Sequence, residues 1–298
     1  MKKVLIYYFS GTGNTRKIAL EYEKAFRAHG IEPTLRELSH RAPVKTDDAE
    51  EYDRIGIGYP IHAFNAPKII LELCKALPKR DASRSFKYTF VFKTSGEPVR
   101  MSDASSIKTV KLLNRRGYSI ANEYQYVMPY NIIFRHTDAQ AYKMWQTAQA
   151  LVPLDVEDII NFVPSLKFPN KPFLGGAAAW LLRIEHGGAR LIGRGFKATN
   201  ACIDCGLCVK DCPAENIRVG KNGKIEFGGK CMLCMRCVFK CPKNAIVPGI
   251  LKKWTVNGDY SFEPPRAPEP PSAHDEYCKK AYARYYAQAE QRTADRKD

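Results

Sequence analysis

The sequence predicts an α/β protein built on a doubly wound parallel sheet and joined to a second, smaller α+β domain. Three observations carry this reading. Strand-length apolar runs alternate with helical patterns over roughly the first 163 residues, a loop of hydroxyls and glycines follows the first run, and eight of the ten cysteines crowd between Cys202 and Cys241. Alternating strands and helices mean parallel strands covered on both faces, and clustered cysteines in a chain of this length mean metal rather than a disulfide framework.

Residues 3–9, Lys-Val-Leu-Ile-Tyr-Tyr-Phe, have the length and apolarity of a buried strand. Ser10-Gly11-Thr12-Gly13-Asn14-Thr15 then leads into a helical pattern ending near His29. Further strands are predicted at 31–38, 54–59, 86–93 and 119–127, with helices near 66–77, 104–116 and 138–151. Ligands of such sheets sit beyond the carboxyl ends of the strands at the switch point, so loops 10–15, 59–67 and 94–99 should form one site.

Three hydroxyls, two glycines and a helix N-terminus around residues 10–15 are suited to an anion. The loop lacks the Gly-Lys-Ser/Thr of an ATP-binding loop and the third glycine of a dinucleotide fingerprint. Gly56-Ile57-Gly58 lies inside a strand and supplies no second nucleotide motif. A monophosphate held by hydroxyls and backbone N–H groups is what remains.

At these residues the chain resembles the flavodoxin family, whose phosphate loop, Ser/Thr-x-Thr-Gly-x-Thr, is matched by Ser10, Thr12, Gly13 and Thr15. The resemblance spans about residues 1–163 and implies strand order 2-1-3-4-5 and bound FMN. Its phosphate would lie on Ser10, Gly11, Thr12, Gly13, Asn14 and Thr15. The flavin ring would lie against Tyr59, Pro60, Ile61, His62, Ala63, Phe64 and Asn65, and against Thr94, Ser95, Gly96 and Glu97. Many flavodoxins place a glycine beside the flavin N5, whereas residues 59–67 contain none. A peptide flip to positive φ is costlier there, with Asn65 the most tolerant position.

Cys202, Cys205, Cys208 and Cys212, followed by Pro213, form a C-x2-C-x2-C-x3-C-P run that repeats 29 residues later as Cys231, Cys234, Cys237, Cys241 and Pro242. In such runs three thiolates bind one 4Fe-4S cube and the fourth crosses to the other cluster. One cluster is therefore expected on Cys202, Cys205, Cys208 and Cys241, the other on Cys231, Cys234, Cys237 and Cys212. Structural zinc sites use two separated ligand pairs and match less well. Residues 197–250 resemble bacterial two-cluster ferredoxins. Cys74, among Leu71, Leu73 and Leu77, and Cys278 read as packing residues.

Residues 164–196, with their prolines and paired glycines, read as a linker carrying a short packing helix at 177–182. Residues 251–298 begin with a proline-rich extended stretch, 264–271, and end in a helix. Tyr277, Ala281 and Tyr285, and likewise Cys278, Tyr282 and Tyr286, recur at helical spacing and should dock that helix on the protein.

Lys and Arg number 47 against 31 Asp and Glu, a formal charge of +16, with the excess leaning C-terminal: 24 against 18 over residues 1–165, then 23 against 13. Two clusters and FMN would lower the net charge to about +10. With no nucleic-acid recognition motif, an acidic, low-potential redox protein is the expected partner. No run approaches the roughly 18 apolar residues of a membrane span, and Val4–Phe9 is too short for a signal-peptide core of about 7–15 residues. A cytoplasmic protein is expected, and oxygen-labile clusters imply a low-oxygen setting.

FMN exchanges electrons singly or in pairs and a 4Fe-4S cluster singly. The resemblance is thus to flavodoxin-ferredoxin fusion proteins, which implies electron transfer between FMN, the clusters and external partners. The alternative is an FMN-dependent reductase of a small-molecule acceptor, with His62, Glu97 or Tyr59 as proton donor.

Overall fold

The computed structural model describes residues 1–80, 87–98, 100–165, 184–267 and 269–296. At its centre β1 (Lys3–Tyr8), β2 (Glu32–Glu37), β3 (Arg54–Pro60), β4 (Lys87–Ser95) and β5 (Tyr118–Val127) form a parallel sheet in the order β2-β1-β3-β4-β5. That is the flavodoxin-like order, and it reverses direction between β1 and β3. Val4–Phe9 are buried throughout, as expected for a central strand covered on both faces.

Helices α1 (Asn14–Ala28) and α4 (Asp138–Ile160) cover one face, and α2 (Lys68–Ala76) and α3 (Ile107–Asn114) the other. The first face is aromatic: the Tyr22 ring lies 4.8 Å from Phe92 and 5.5 Å from Phe90. Gly56 and Gly58 serve this packing, because a Cβ at either would run into the ring of Phe90 or Phe92. Helix α4 extends nine residues beyond its predicted end at 151, through Pro153. Burial of Val152, Val156 and Ile159 outweighs the one backbone hydrogen bond that proline cannot make.

The helix expected at 177–182 lies outside the described residues. Helix α5 (Ile184–Arg194) leads into a small domain of β6 (Lys197–Ala198), α6 (Leu207–Asp211), β7 (Ile217–Val219), β8 (Ile225–Phe227), α7 (Arg236–Phe239) and β9 (Ile246–Val247). Strands β6 and β9 pair antiparallel, as do β7 and β8. The 29-residue sequence repeat is also a repeat of backbone conformation. Left-handed φ values recur at Asp204 and Leu233 (50° each), Gly206 and Met235 (69° and 57°), and Glu215 and Asn244 (50° and 47°). Four residues after each Cys-Pro cysteine, a backbone N–H donates to its sulfur: Asn216 to Cys212 (3.3 Å) and Ala245 to Cys241 (3.2 Å).

Helices α8 (Ala273–Tyr277) and α9 (Lys279–Ala294) return to the sheet domain. Cys278, Tyr282 and Tyr286 pack on Val127 and Met144, whereas Tyr277 is 88% exposed. The stripe through Cys278 faces the protein along its length, and of the other stripe Tyr285 packs there too, accepting from the Val127 N–H at 3.3 Å. Arg292 secures the end of the helix by ion pairs to Asp155 and, at 2.7 Å, to Asp158.

Candidate functional site

The three loops at the carboxyl end of the sheet converge on a cavity of about 430 Å³. Its wall includes Ser10, Gly11, Thr12, Asn14 and Thr15, the segment Pro60–Phe64, and the segment Thr94–Glu97. The phosphate loop is internally ordered: Ser10 Oγ accepts from the N–H groups of Gly13 and Arg16, each at 3.2 Å, and Thr15 and Thr94 share a hydroxyl hydrogen bond of 2.8 Å. Gly13 occupies the N-cap of α1 with no side-chain cap, so neither Thr12 nor Asn14 is spent as a cap. A helix N-terminus whose N-cap is a glycine, set among hydroxyls, fits a phosphate.

Tyr59 is buried at 0% exposure in the core beneath α2 and does not line the cavity. Burial holds its hydroxyl protonated, well above the ordinary phenol range. The inward register of β3 thus removes it from the proton-donor candidates. Asn65 is buried too, its amide donating to the Ala63 carbonyl at 2.9 Å. It closes a tight turn in which His62 and Asn65 exchange backbone hydrogen bonds of 2.9 and 2.7 Å. The two central residues, Ala63 (φ 40°) and Phe64 (φ 60°), lie in the left-handed region. Positive φ, which Asn65 could tolerate, falls instead on two residues poorly suited to it. His62 and Glu97 both face the cavity.

A fourth loop, Met128–Ile133, completes the wall. Asn131 donates to Thr12 Oγ1 at 3.1 Å, and the Asn14 amide donates to the Pro129 carbonyl at 2.7 Å. Sequence reading misses this loop because it lacks glycine and carries no motif. Its position after β5, at the same end of the sheet, is the signal that would have found it. Ile192, Leu233, Leu251 and Trp254 roof the cavity from outside the sheet domain.

The cysteines line two further cavities. Cys202, Cys205, Cys208 and Cys241 border one, with Cys237 at its edge, and Cys212, Cys231, Cys234 and Cys237 border the other. Cys237 thus lines both cavities, and the other cysteines divide between them. Among the described residues, no three of these sulfurs come within 4.8 Å of one another. The arrangement is too open for one tetrahedral zinc, whose sulfur ligands at 2.3 Å would sit about 3.8 Å apart. Burial pushes the Cys231 thiol up to about 12 and raises Cys234 and Cys237 as well. A cationic core such as an iron-sulfur cube would hold these three as thiolates.

The two cavities differ in their relation to the phosphate loop. The Cys234 carbonyl lies against Gly11 so closely that a Cβ there would stand 2.5 Å from it. Arg236 donates to the Gly11 carbonyl (2.9 Å), to the Ser10 carbonyl, to Glu37 (2.8 Å) and to the Asp211 carbonyl (3.2 Å). On the other side, Arg41 donates to the Cys212 carbonyl at 3.0 Å and the His40 N–H to the Pro213 carbonyl at 2.8 Å. In the Cys202 set, Cys205 is exposed and neighbouring Ile203 is 56% exposed.

Residues 201–246 match the family of 4Fe-4S dicluster domains. Among solved structures, a flavodoxin of Streptococcus pneumonia TIGR4 aligns at 16% identity over 54% of this chain and 99% of its own (TM-score 0.39). The two-electron reduced flavodoxin of Megasphaera elsdenii aligns at 20% identity over 52% and 98% (TM-score 0.35). Flavodoxin 2 of Bacillus cereus aligns at 16% over 53% and 99% (TM-score 0.38). The strand order, rather than these distant likenesses, defines the fold. No curated protein matches the sequence. The chain thus joins a sheet domain of flavodoxin-like strand order to a 4Fe-4S dicluster domain. No helix among the described residues is long and apolar enough to cross a membrane.

Proposed function

We propose that this protein carries electrons between an external redox protein and FMN along a fixed order of sites: the Cys202 set outermost, the Cys231 set in the middle, and the cavity of the sheet domain innermost. FMN supplies one- and two-electron chemistry and the clusters one-electron chemistry when bound. The phosphate would be held by Ser10, Thr12, Thr15 and the N–H groups of residues 11–15, and the ring by Pro60–Phe64, Thr94–Glu97 and Met128–Ile133.

The chain's own contribution is placement. Arg236 ties the Cys234–Cys237 loop to the phosphate loop, and Leu233 reaches the cavity wall from within the cysteine repeat. The close approach of the Cys234 carbonyl to Gly11 carries the reading. Exposed Cys205 and Ile203, with Lys240 and Lys243 on the wall of the same cavity, suit an acidic partner at the outer end.

A Gly11→Ala variant tests the order. The added methyl meets the Cys234 carbonyl, so electron exchange between flavin and clusters should slow in anaerobic stopped-flow absorbance while iron content holds. An unchanged exchange rate would sink the proposed adjacency.

The apolar roof of Ile192, Leu233, Leu251 and Trp254 favours a second reading, reduction of a small acceptor in the cavity, with His62 and Glu97 as the polar groups on its wall. Turnover of quinones, nitro compounds or enones by the holoprotein, lost in His62→Ala, would support it.

A further inference from the structure

The C-terminal extension brings a different set of ligand atoms to the loop that follows β4. Among the described residues, Glu97, His274 and Cys278 are the group of three whose ligand atoms all lie within 4.8 Å of one another. His274 Nε2 stands 3.2 Å from Glu97 Oε1 and 3.8 Å from Cys278 Sγ. Ligands bound at about 2.0–2.3 Å to one tetrahedral ion are separated by roughly 3.3–3.8 Å. The three groups therefore already have the spacing of a mononuclear site, which the cysteines of the repeat do not.

The surroundings hold these atoms in place. His274 and Cys278 sit four residues apart on one face of the turn joining α8 to α9, and the capping box of Ser272 and Asp275 fixes the start of that turn. The His274 ring stacks on Phe134 at 4.0 Å, with Tyr130 edge-on at 5.5 Å. One turn further on, the Tyr282 hydroxyl donates to the Gly96 carbonyl at 2.8 Å, fixing the residue before Glu97. His274 and Cys278 are 7% and 9% exposed. A carboxylate, an imidazole and a thiol are all zinc ligand types, and a mixed hard and soft set disfavours magnesium or calcium.

We propose that Glu97, His274 and Cys278 form a zinc site, with water in the fourth position, that clamps the C-terminal extension to the loop lining the cavity. Binding forms one Zn–S, one Zn–N and one Zn–O bond and releases the Cys278 thiol proton to solvent, and no electron moves. The carboxylate and thiolate neutralise the dication, so the enclosed site carries no net charge. With Glu97 committed to the ion, His62 and Tyr130 remain on the cavity wall. The zinc site does not depend on what occupies the cavity.

The test uses the anaerobic, fully loaded protein, freed of loose metal by dialysis and then equilibrated with zinc chloride. Elemental analysis should find about one zinc per chain in addition to the iron, and zinc-edge X-ray absorption should show a single sulfur among N/O ligands. His274→Gln and Cys278→Ala should each lose that zinc while keeping iron and flavin content. Zinc should raise the melting temperature of the unaltered protein but of neither variant. Failure to bind zinc overturns the proposal. So does zinc in an all-sulfur shell that persists in both variants, since the ion would then reside in the cysteine repeat.

Discussion

The sheet domain and the cysteine repeat build their sites in opposite ways. In the repeat, eight ligands are encoded by linear spacing, and the small domain around them has little else: its buried apolar residues form two groups, one of Phe196, Met235, Val238 and Ile246 and one of Cys212, Ala214 and Ile217. In the sheet domain, a large core exists whether or not the cavity is filled, and the cavity wall is gathered from four loops and a roof contributed by other segments. The small core implies that the cysteine region draws folding energy from its cofactor, whereas the core of the sheet domain does not depend on one.

That contrast predicts its largest effect for iron removal. Anaerobic chelation should abolish hydrogen-exchange protection over 197–250 while β1, β3 and β4 stay protected, because metal binding there is folding energy. Equal loss in both regions would erase the distinction. Next in size, Cys234→Ser and Cys205→Ser should each cost about half the iron. Only Cys234→Ser should shift the flavin absorbance, because Cys234 touches the phosphate loop and Cys205 faces solvent.

A smaller change is expected within the sheet domain. Thr12→Val combined with Thr15→Val removes two hydroxyls and should weaken FMN binding by about 10- to 100-fold, read by fluorescence titration, with iron content unchanged. Unaltered affinity would move the phosphate elsewhere. The smallest effect is expected for Arg236→Met. It removes hydrogen bonds to Ser10, Gly11, Glu37 and Asp211 and should lower flavin affinity a few-fold, by about 1 kcal/mol. It should also slow exchange between flavin and clusters.

The same contrast explains what could be read without coordinates. The cysteine sets were legible because the 29-residue period fixes both ligand spacing and backbone, down to matching left-handed residues at Asp204 and Leu233. The strand order followed from the family resemblance that the phosphate loop carries, and the parallel sheet from the alternation of elements. Asn131 and Trp254 were not legible as wall residues, because their proximity arises only when β5 and the chain after the repeat return to the same end of the sheet. Tyr59 was misplaced because a strand-end residue points into the site or into the core according to a register that loop sequence does not declare. The two stripes on the C-terminal helix looked equivalent, yet Val127 and Met144 bury Cys278, Tyr282 and Tyr286, while of the other stripe Tyr285 packs beside them and Tyr277 is exposed.

The central claim is the order of sites. Iron-edge anomalous diffraction from crystals of the FMN-loaded protein, grown without oxygen, measures it directly. The account predicts two iron sites, with the one bound by Cys231, Cys234, Cys237 and Cys212 adjacent to the flavin cavity and the one bound by Cys202, Cys205, Cys208 and Cys241 farther out. Iron of the Cys202 set lying nearer the flavin, or flavin bound away from Ser10–Thr15, would contradict it.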